Sequence, residues 1–132
     1  MISAKNKGCI LLVDDEELVR LSSFNILKSM SYEVISAADG IEALELYSRY
    51  KEKVNLAIID LIMPRMGGLD LFRRLRGINP SFEIILCSGL CSEETEDELL
   101  SSGVSGIIMK PYTSSELSFI LEKIEMKKQE AC

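Results

Sequence analysis

Residues suited to joint chemistry are sparse in this 132-residue chain: the adjacent Asp14 and Asp15, a further aspartate at Asp60, the hydroxyl of Ser88 and the amine of Lys110. Carboxylates gathered at one point repel one another, which raises their pKa values or destabilises the fold unless a cation sits among them. Oxygen donors without imidazole or thiolate suit a hard ion, and a few carboxylates with room for water is how proteins usually hold Mg²⁺. A lysine ammonium and a serine hydroxyl add donors for an oxygen-rich anion such as a phosphoryl group. The chain has no histidine, which removes imidazole metal sites, most general-base triads and a histidine phosphocarrier within this chain.

Whether these side chains meet depends on the elements that carry them. Short apolar runs recur at 9–13, 32–36, 56–59, 82–86 and 105–109, with amphipathic stretches of helical length between them. The first helix is expected over 16–30, with Leu18, Leu21 and Ile26 on its apolar stripe and Glu16 and Glu17 complementing the dipole. The second runs from Asp39 through Tyr50, with Ile41, Leu44 and Tyr47 inward. The third spans about 68–76, closed by Gly77 and then Asn79-Pro80. Ser92 caps the fourth, whose acidic run reads as a dipole complement and a solvated face. The fifth follows Thr113 or Ser114, with Glu116 in the reciprocal capping position, and ends in the polar tail KKQEAC.

Alternation of this kind implies parallel strands joined by right-handed helical crossovers and covered on both faces. The expected class is α/β, a doubly wound sheet of five strands with five helices. One domain should fill residues 1–132, its core about 8–126 between short flexible termini. No stretch is expected to be left over for an output domain. In such a sheet ligands gather beyond the carboxyl ends of the strands. Asp14 and Asp15 follow the first apolar run, Asp60 the third and Lys110 the fifth, while Ser88 lies just past the fourth.

The bulk properties narrow the function classes. The chain is 47% hydrophobic and 27% charged, as a packed globular protein is. Its formal net charge is −6 with the basic residues dispersed, so no direct contact with nucleic acid is expected. No run is long enough to span a membrane and the start MISAKNKG has no apolar signal core, which points to the cytoplasm. Cys9, Cys87, Cys91 and Cys132 make no disulfide framework, and the one CxxxC, Cys87 with Cys91, reads as a small buried hydrophobe and a loop thiol.

Taken together, LVDDE at 12–16, DLIMPRMGG at 60–68, CSG at 87–89 and KPY at 110–112 resemble the receiver domain of two-component response regulators, over nearly the whole chain. The resemblance implies a flavodoxin-like strand order, 2-1-3-4-5. It implies that Asp60 is the phosphoacceptor, served by a histidine kinase or phosphotransfer partner. Asp15, Asp60 and the backbone carbonyl of Ile62 would hold Mg²⁺, with Asp14 acting through water. Ser88 and Lys110 would bind the phosphoryl oxygens, Gly89 would leave room, and the Lys110-Pro111 bond would be cis. The output would be a protein target, met by the loop between strand four and helix four and by the face of helix four, strand five and helix five. Such a chain is a regulator, with at most self-phosphorylation and self-dephosphorylation chemistry, either free-standing or the receiver part of a hybrid kinase.

Some positions depart from that pattern. An aromatic often stands three residues before the strand-five lysine as a switch paired with the hydroxyl residue, here Ser88; this chain has Ile107 there, with no ring to swing. Tyr112 is expected to pack near the site. Leu61, Ile62 and Leu90 give the pocket an apolar rim, which implies poorly oriented water and a long-lived phosphoryl group. Met63 and Met66 read as turn and core packing, and Gly67 and Gly68 as the turn into helix three. Two other functions compete: a phosphate-independent interaction module of the same fold, and a phosphatase with an aspartyl intermediate. The second needs an acid two residues past the nucleophile, where Ile62 stands.

Overall fold

The computed structural model describes residues 7–89 and 92–130. The start of the chain, Leu90, Cys91 and Cys132 lie outside the described residues, and with them the rim position of Leu90 and the loop thiol of Cys91. Strands β1 (Cys9–Val13), β2 (Glu33–Ala37), β3 (Val54–Asp60), β4 (Glu83–Ser88) and β5 (Gly106–Met109) alternate with helices α1 (Glu17–Ser29), α2 (Gly40–Tyr50), α3 (Gly68–Ile78), α4 (Glu93–Ser101) and α5 (Ser114–Glu130). All pairings are parallel and the sheet order is β2-β1-β3-β4-β5. The flavodoxin-like α/β architecture is the one expected.

Alternate strand residues enter opposite cores. Leu11, Val13, Ala57, Ile59, Ile84 and Leu86 pack under α2, α3 and α4 with Tyr47, Leu71, Phe72, Leu75 and Leu99. Ile10, Leu12, Leu56, Ile58, Ile85 and Cys87 pack under α1 and α5 with Leu27, Leu117, Leu121 and Ile124. Burial on both faces is why these strands read as unbroken apolar runs. The strand ends go further than the runs: Asp60 is the last residue of β3 and Ser88 the last of β4. Both are paired into the sheet, and a rigid backbone therefore delivers them. At the opposite edge the β1–β3 register shifts between Cys9 and Ile10, where the Asn55 side chain accepts the Cys9 N–H at 2.8 Å.

Helix caps follow local chemistry. Asp39 accepts the Glu42 N–H at 2.9 Å, and Ser92 accepts the Thr95 N–H at 3.2 Å. Thr113 and Glu116 form a full reciprocal box, each side chain accepting the other's N–H at 3.1 Å.

Four boundaries or faces differ from expectation. Leu18 and Leu21 lie on the outer side of α1, 82% and 55% exposed, because Ser23 and Leu27 hold the sheet-facing stripe. On α2 Ile41 is exposed in the same way, and Ala43 and Tyr47 face the core. Gly77 does not stop α3, which continues to Ile78. The residue that organises this end is Arg76, whose guanidinium donates to the carbonyls of Asn79, Pro80, Phe82 and Gly103. The segment KKQE belongs to α5 instead of forming a tail. Among the described residues no helix is long and apolar enough to cross a membrane.

Candidate functional site: an acidic pocket at the carboxyl edge

The sheet brings the predicted residues to one edge. Asp14, the first residue after β1, is 3% exposed and keeps β1 paired through its N–H to Ala37 O at 3.1 Å. Its Oδ1 accepts the Glu16 N–H at 2.9 Å, and its carbonyl accepts from Arg20 Nη1 at 2.7 Å. Asp14 is thus oriented from both sides, while Asp15 is exposed beside it. Asp60 is 5% exposed and its Oδ1 accepts the Ile62 N–H at 3.3 Å. Asp14, Asp15 and Asp60 each offer an oxygen within 4.8 Å of the others.

Lys110 enters from the end of β5, its N–H bonded to Ser88 O at 2.8 Å. Its Nζ lies 3.0 Å from Asp14 Oδ2, 3.2 Å from Asp60 Oδ2 and 3.3 Å from Glu16 Oε1. Burial alone would lower the lysine's pKa, but Asp14 and Asp60 outweigh it and the net direction is up. Lys110 is a fixed positive charge. Asp60 moves the other way from an ion-paired acid: burial, then the Asp14 charge, raise its pKa, against the pull of Lys110 and the Ile62 N–H. One ammonium does not fully balance the pocket. Three clustered carboxylates around a partly neutralised centre, with Asp15 open to water, are the donor set a hard, hydrated cation takes, so these residues fit Mg²⁺.

Ser88 is buried at the end of β4, in the strand next to Asp60, where Cys87 pairs with it. At the next residue, Gly89, an added Cβ would meet nothing within 4 Å, so the space there is open. The Lys110-Pro111 peptide is cis, as the resemblance implied. Cys87 is the inert buried thiol expected, its pKa pushed up by burial and then by Asp60.

The neighbours of Asp60 divide. Ile62 stands 73% exposed at the pocket's edge, whereas Leu61 packs against the core under α3 and contributes little to the rim. Met63 and Met66 pack as expected. Gly68 has a sharper role than a permissive turn. A Cβ there would come within 2.7 Å of Leu61 Cα and 2.9 Å of Asp60 C, so α3 can start against the end of β3 only with glycine. Ile107 is not part of the pocket; it packs on the α2–α3–α4 side of the sheet and lines a cavity of about 260 Å³ between α4, β5 and α5. Tyr112 is half-buried, and its hydroxyl is hydrogen-bonded to Ser23 of α1.

Some contributors were not foreseen. Glu16 faces Lys110 as well as the helix dipole, and Arg20 holds the Asp14 carbonyl. Arg65 forms an ion pair with the buried Asp39. Spacing gave no signal for that pair, since its members are far apart in sequence and Arg65 takes a left-handed backbone at φ 66°. Beside Lys110, an open groove of about 420 Å³ is lined by Leu18, Val19, Ile26, Pro111 and Tyr112.

A family model for the response regulator receiver domain matches residues 10–122. The chain is 32% identical to chemotaxis protein CheY of Thermotoga maritima over 117 residues, 87% of this chain and 95% of that protein. It is also 32% identical to sensor kinase CckA of Brucella abortus over 121 residues, 92% of this chain but only 13% of the kinase's length. Among solved structures, a CheY-like receiver domain protein from Methanospirillum hungatei superposes with a TM-score of 0.80 at 32% identity, covering 93% of this chain and 98% of that one. The chain belongs to the response regulator receiver domain family, whose members are regulators in two-component signalling rather than dedicated enzymes.

Proposed function

We propose that the chain is a phosphorylation-controlled switch in which Asp60 accepts a phosphoryl group from a histidine kinase or phosphotransfer protein. The observation that carries this reading is the convergence of Asp14, Asp15 and Asp60 at one sheet edge, with the Lys110 ammonium paired to Asp14 and Asp60. An Asp60 carboxylate oxygen forms a bond to phosphorus as the donor's imidazole nitrogen leaves, giving an acyl phosphate. Asp15, Asp60 and the Ile62 carbonyl would hold Mg²⁺, with Asp14 acting through water. When bound, the ion would offset the repulsion between carboxylate and phosphoryl oxygens. Lys110 stabilises charge on the transferred group, and Ser88 donates to one of its oxygens. The open space at Gly89 leaves room for the group.

Charge and acceptors added at Asp60 must then bias an element that has two arrangements. Ser88 is joined to β5 through the Lys110 N–H, and Ile107 of β5 lines the cavity facing α4 and α5. A downstream protein would read the α4–β5–α5 face, through a shift of the aliphatic Ile107 rather than a ring. The donor would approach over the apolar groove beside α1, where Leu18 is exposed.

The test is to add Mg²⁺ with beryllofluoride or a small acyl phosphate and follow amide shifts in wild type and Asp60→Asn. Shifts spreading from Asp60 to β5 in wild type alone are expected. A silent wild type overturns the switch and leaves the phosphate-independent interaction module, whereas turnover of a separate phosphate ester would point to a phosphatase.

A further inference from the structure

The β3–α3 loop, residues 61–67, is tied to the rest of the molecule at a point away from Asp60. Arg65 has φ 66°, in the left-handed region, which a non-glycine residue holds only where its surroundings impose it. Its Nη2 pairs with Asp39 Oδ2. Asp39 is buried, and its other oxygen accepts the Glu42 N–H that starts α2, at 2.9 Å. Both oxygens of a buried carboxylate are therefore committed, one to a helix start and one to the loop. Met66 reinforces the tie: it lies over Gly40, where an added Cβ would come within 2.8 Å of the Met66 side chain. At the near end, Gly68 N–H reaches Leu61 O at 2.9 Å, and Ile62 N–H reaches Asp60 Oδ1 at 3.3 Å. Ile62 is suspended between the two anchors.

We propose that Arg65 is a positioning residue for cation binding at Asp60: its pairing with Asp39 holds the loop in the shape that sets the Ile62 carbonyl beside Asp15 and Asp60. The inference rests on the Mg²⁺ site proposed above. Mg²⁺ demands near-ideal octahedral placement of its oxygens, so a loop free to relax presents a poorer donor. Outer groups that orient ligands are typically worth about 10- to 100-fold in metal affinity. Charge alone predicts the opposite sign. Removing a cation from the neighbourhood of an acidic pocket makes the pocket more negative and would tighten Mg²⁺ binding. An arginine that merely neutralised Asp39 would thus give unchanged or improved affinity when lost.

The experiment is a titration with MgCl₂ alone, read from backbone amide shifts of the full chain, for wild type, Asp60→Asn, Arg65→Gly, Arg65→Lys and Asp39→Asn, with urea unfolding of each. Glycine takes a positive φ without strain, so Arg65→Gly removes the tether and leaves the backbone shape accessible. Asp39→Asn keeps an acceptor for Glu42 and removes the charge. Affinity about tenfold weaker in Arg65→Gly, largely restored in Arg65→Lys and intermediate in Asp39→Asn, is the expected result. Wild-type affinity in Arg65→Gly, with or without a loss of stability, overturns the positioning role. A wild type whose shifts match those of Asp60→Asn overturns the cation reading, and this inference with it.

Discussion

Lys110 Nζ stands 3.2 Å from Asp60 Oδ2, and yet Asp60 holds its proton more tightly than a free aspartate. Burial and the Asp14 charge outweigh the ammonium because Lys110 is shared with Asp14 at 3.0 Å. The carboxylate proposed as the phosphoacceptor is also a cost to the fold.

That cost has a pH signature. Asp60's native pKa lies above its ordinary value of 3.8, so the native state binds more protons than the unfolded state between the two values, and stability falls as pH rises through that window. Asp60→Asn removes the term. In urea unfolding without divalent cations the variant should be more stable than wild type at pH 7, and the gap should close on acidification towards pH 4. A gap that widens on acidification would contradict the raised pKa.

Lys110→Met leaves Asp14 and Asp60 facing each other with no ammonium between them. Loss of one partner of a mostly buried pair predicts destabilisation of about 3 kcal/mol at pH 7. Added Mg²⁺ should recover part of it by mass action on the folded state. Thermal melts with and without the ion read both effects.

Ile62 is exposed and touches no core, so Ile62→Asn should change stability by no more than about 0.5 kcal/mol. Its amide would be placed to orient water at the phosphoryl group. Dephosphorylation of the acyl phosphate, followed after donor removal, should be faster in the variant; an unchanged or slower rate would mean that the apolar rim does not set the lifetime.

Two glycines of α3 should respond oppositely. Gly77 is exposed inside the helix with nothing within 4 Å of an added Cβ, so Gly77→Ala should stabilise by about 0.5–1 kcal/mol. Gly68→Ala forces backbone apart at Asp60 and Leu61 and should destabilise by at least about 1–3 kcal/mol. Its response to beryllofluoride should be impaired too, because the displaced backbone is that of Asp60.

Arg76 is tested by Arg76→Met and Arg76→Lys. The guanidinium serves carbonyls of the α3–β4 and α4–β5 loops and lies over the Phe72 ring at 5.3 Å. Methionine should cost about 2–3 kcal/mol in urea unfolding, and lysine should recover only part, since a point charge cannot fork to several acceptors.

The sheet and the acidic pocket were legible because their signals are local in sequence. Each strand is an apolar run, and each pocket group follows its run within two residues, so position along the chain already states position on the edge. What escaped was set by distant partners. Leu18 and Leu21 fit the helical spacing of α1 as well as Leu27 does, and only the packing of Ser23 against Tyr112 shows which stripe faces inward. Gly77 carries stop chemistry that is overruled because Arg76 gathers the carbonyls beyond it. Arg65 and Asp39 answer each other across the elements between them, and neither has a spacing that announces the other.

The division of each strand between two apolar cores raises a problem of alignment. In a sheet with one wet face, a slip of one residue would expose the core set and bury polar groups, so polarity itself polices the pairing. Here Leu11 and Leu12, or Ile58 and Ile59, are interchangeable in polarity, and a slip of β3 past β1 would merely trade one greasy cover for the other. The marks that forbid it are Asp14 and Asp60 at the strand ends and Asn55 at the other edge. Moved one step inward, either carboxylate would enter a core with no partner. The carboxylates that form the pocket also serve as the rulings by which the chain finds its alignment, so the proposed phosphoryl chemistry and folding fidelity would be written in the same letters.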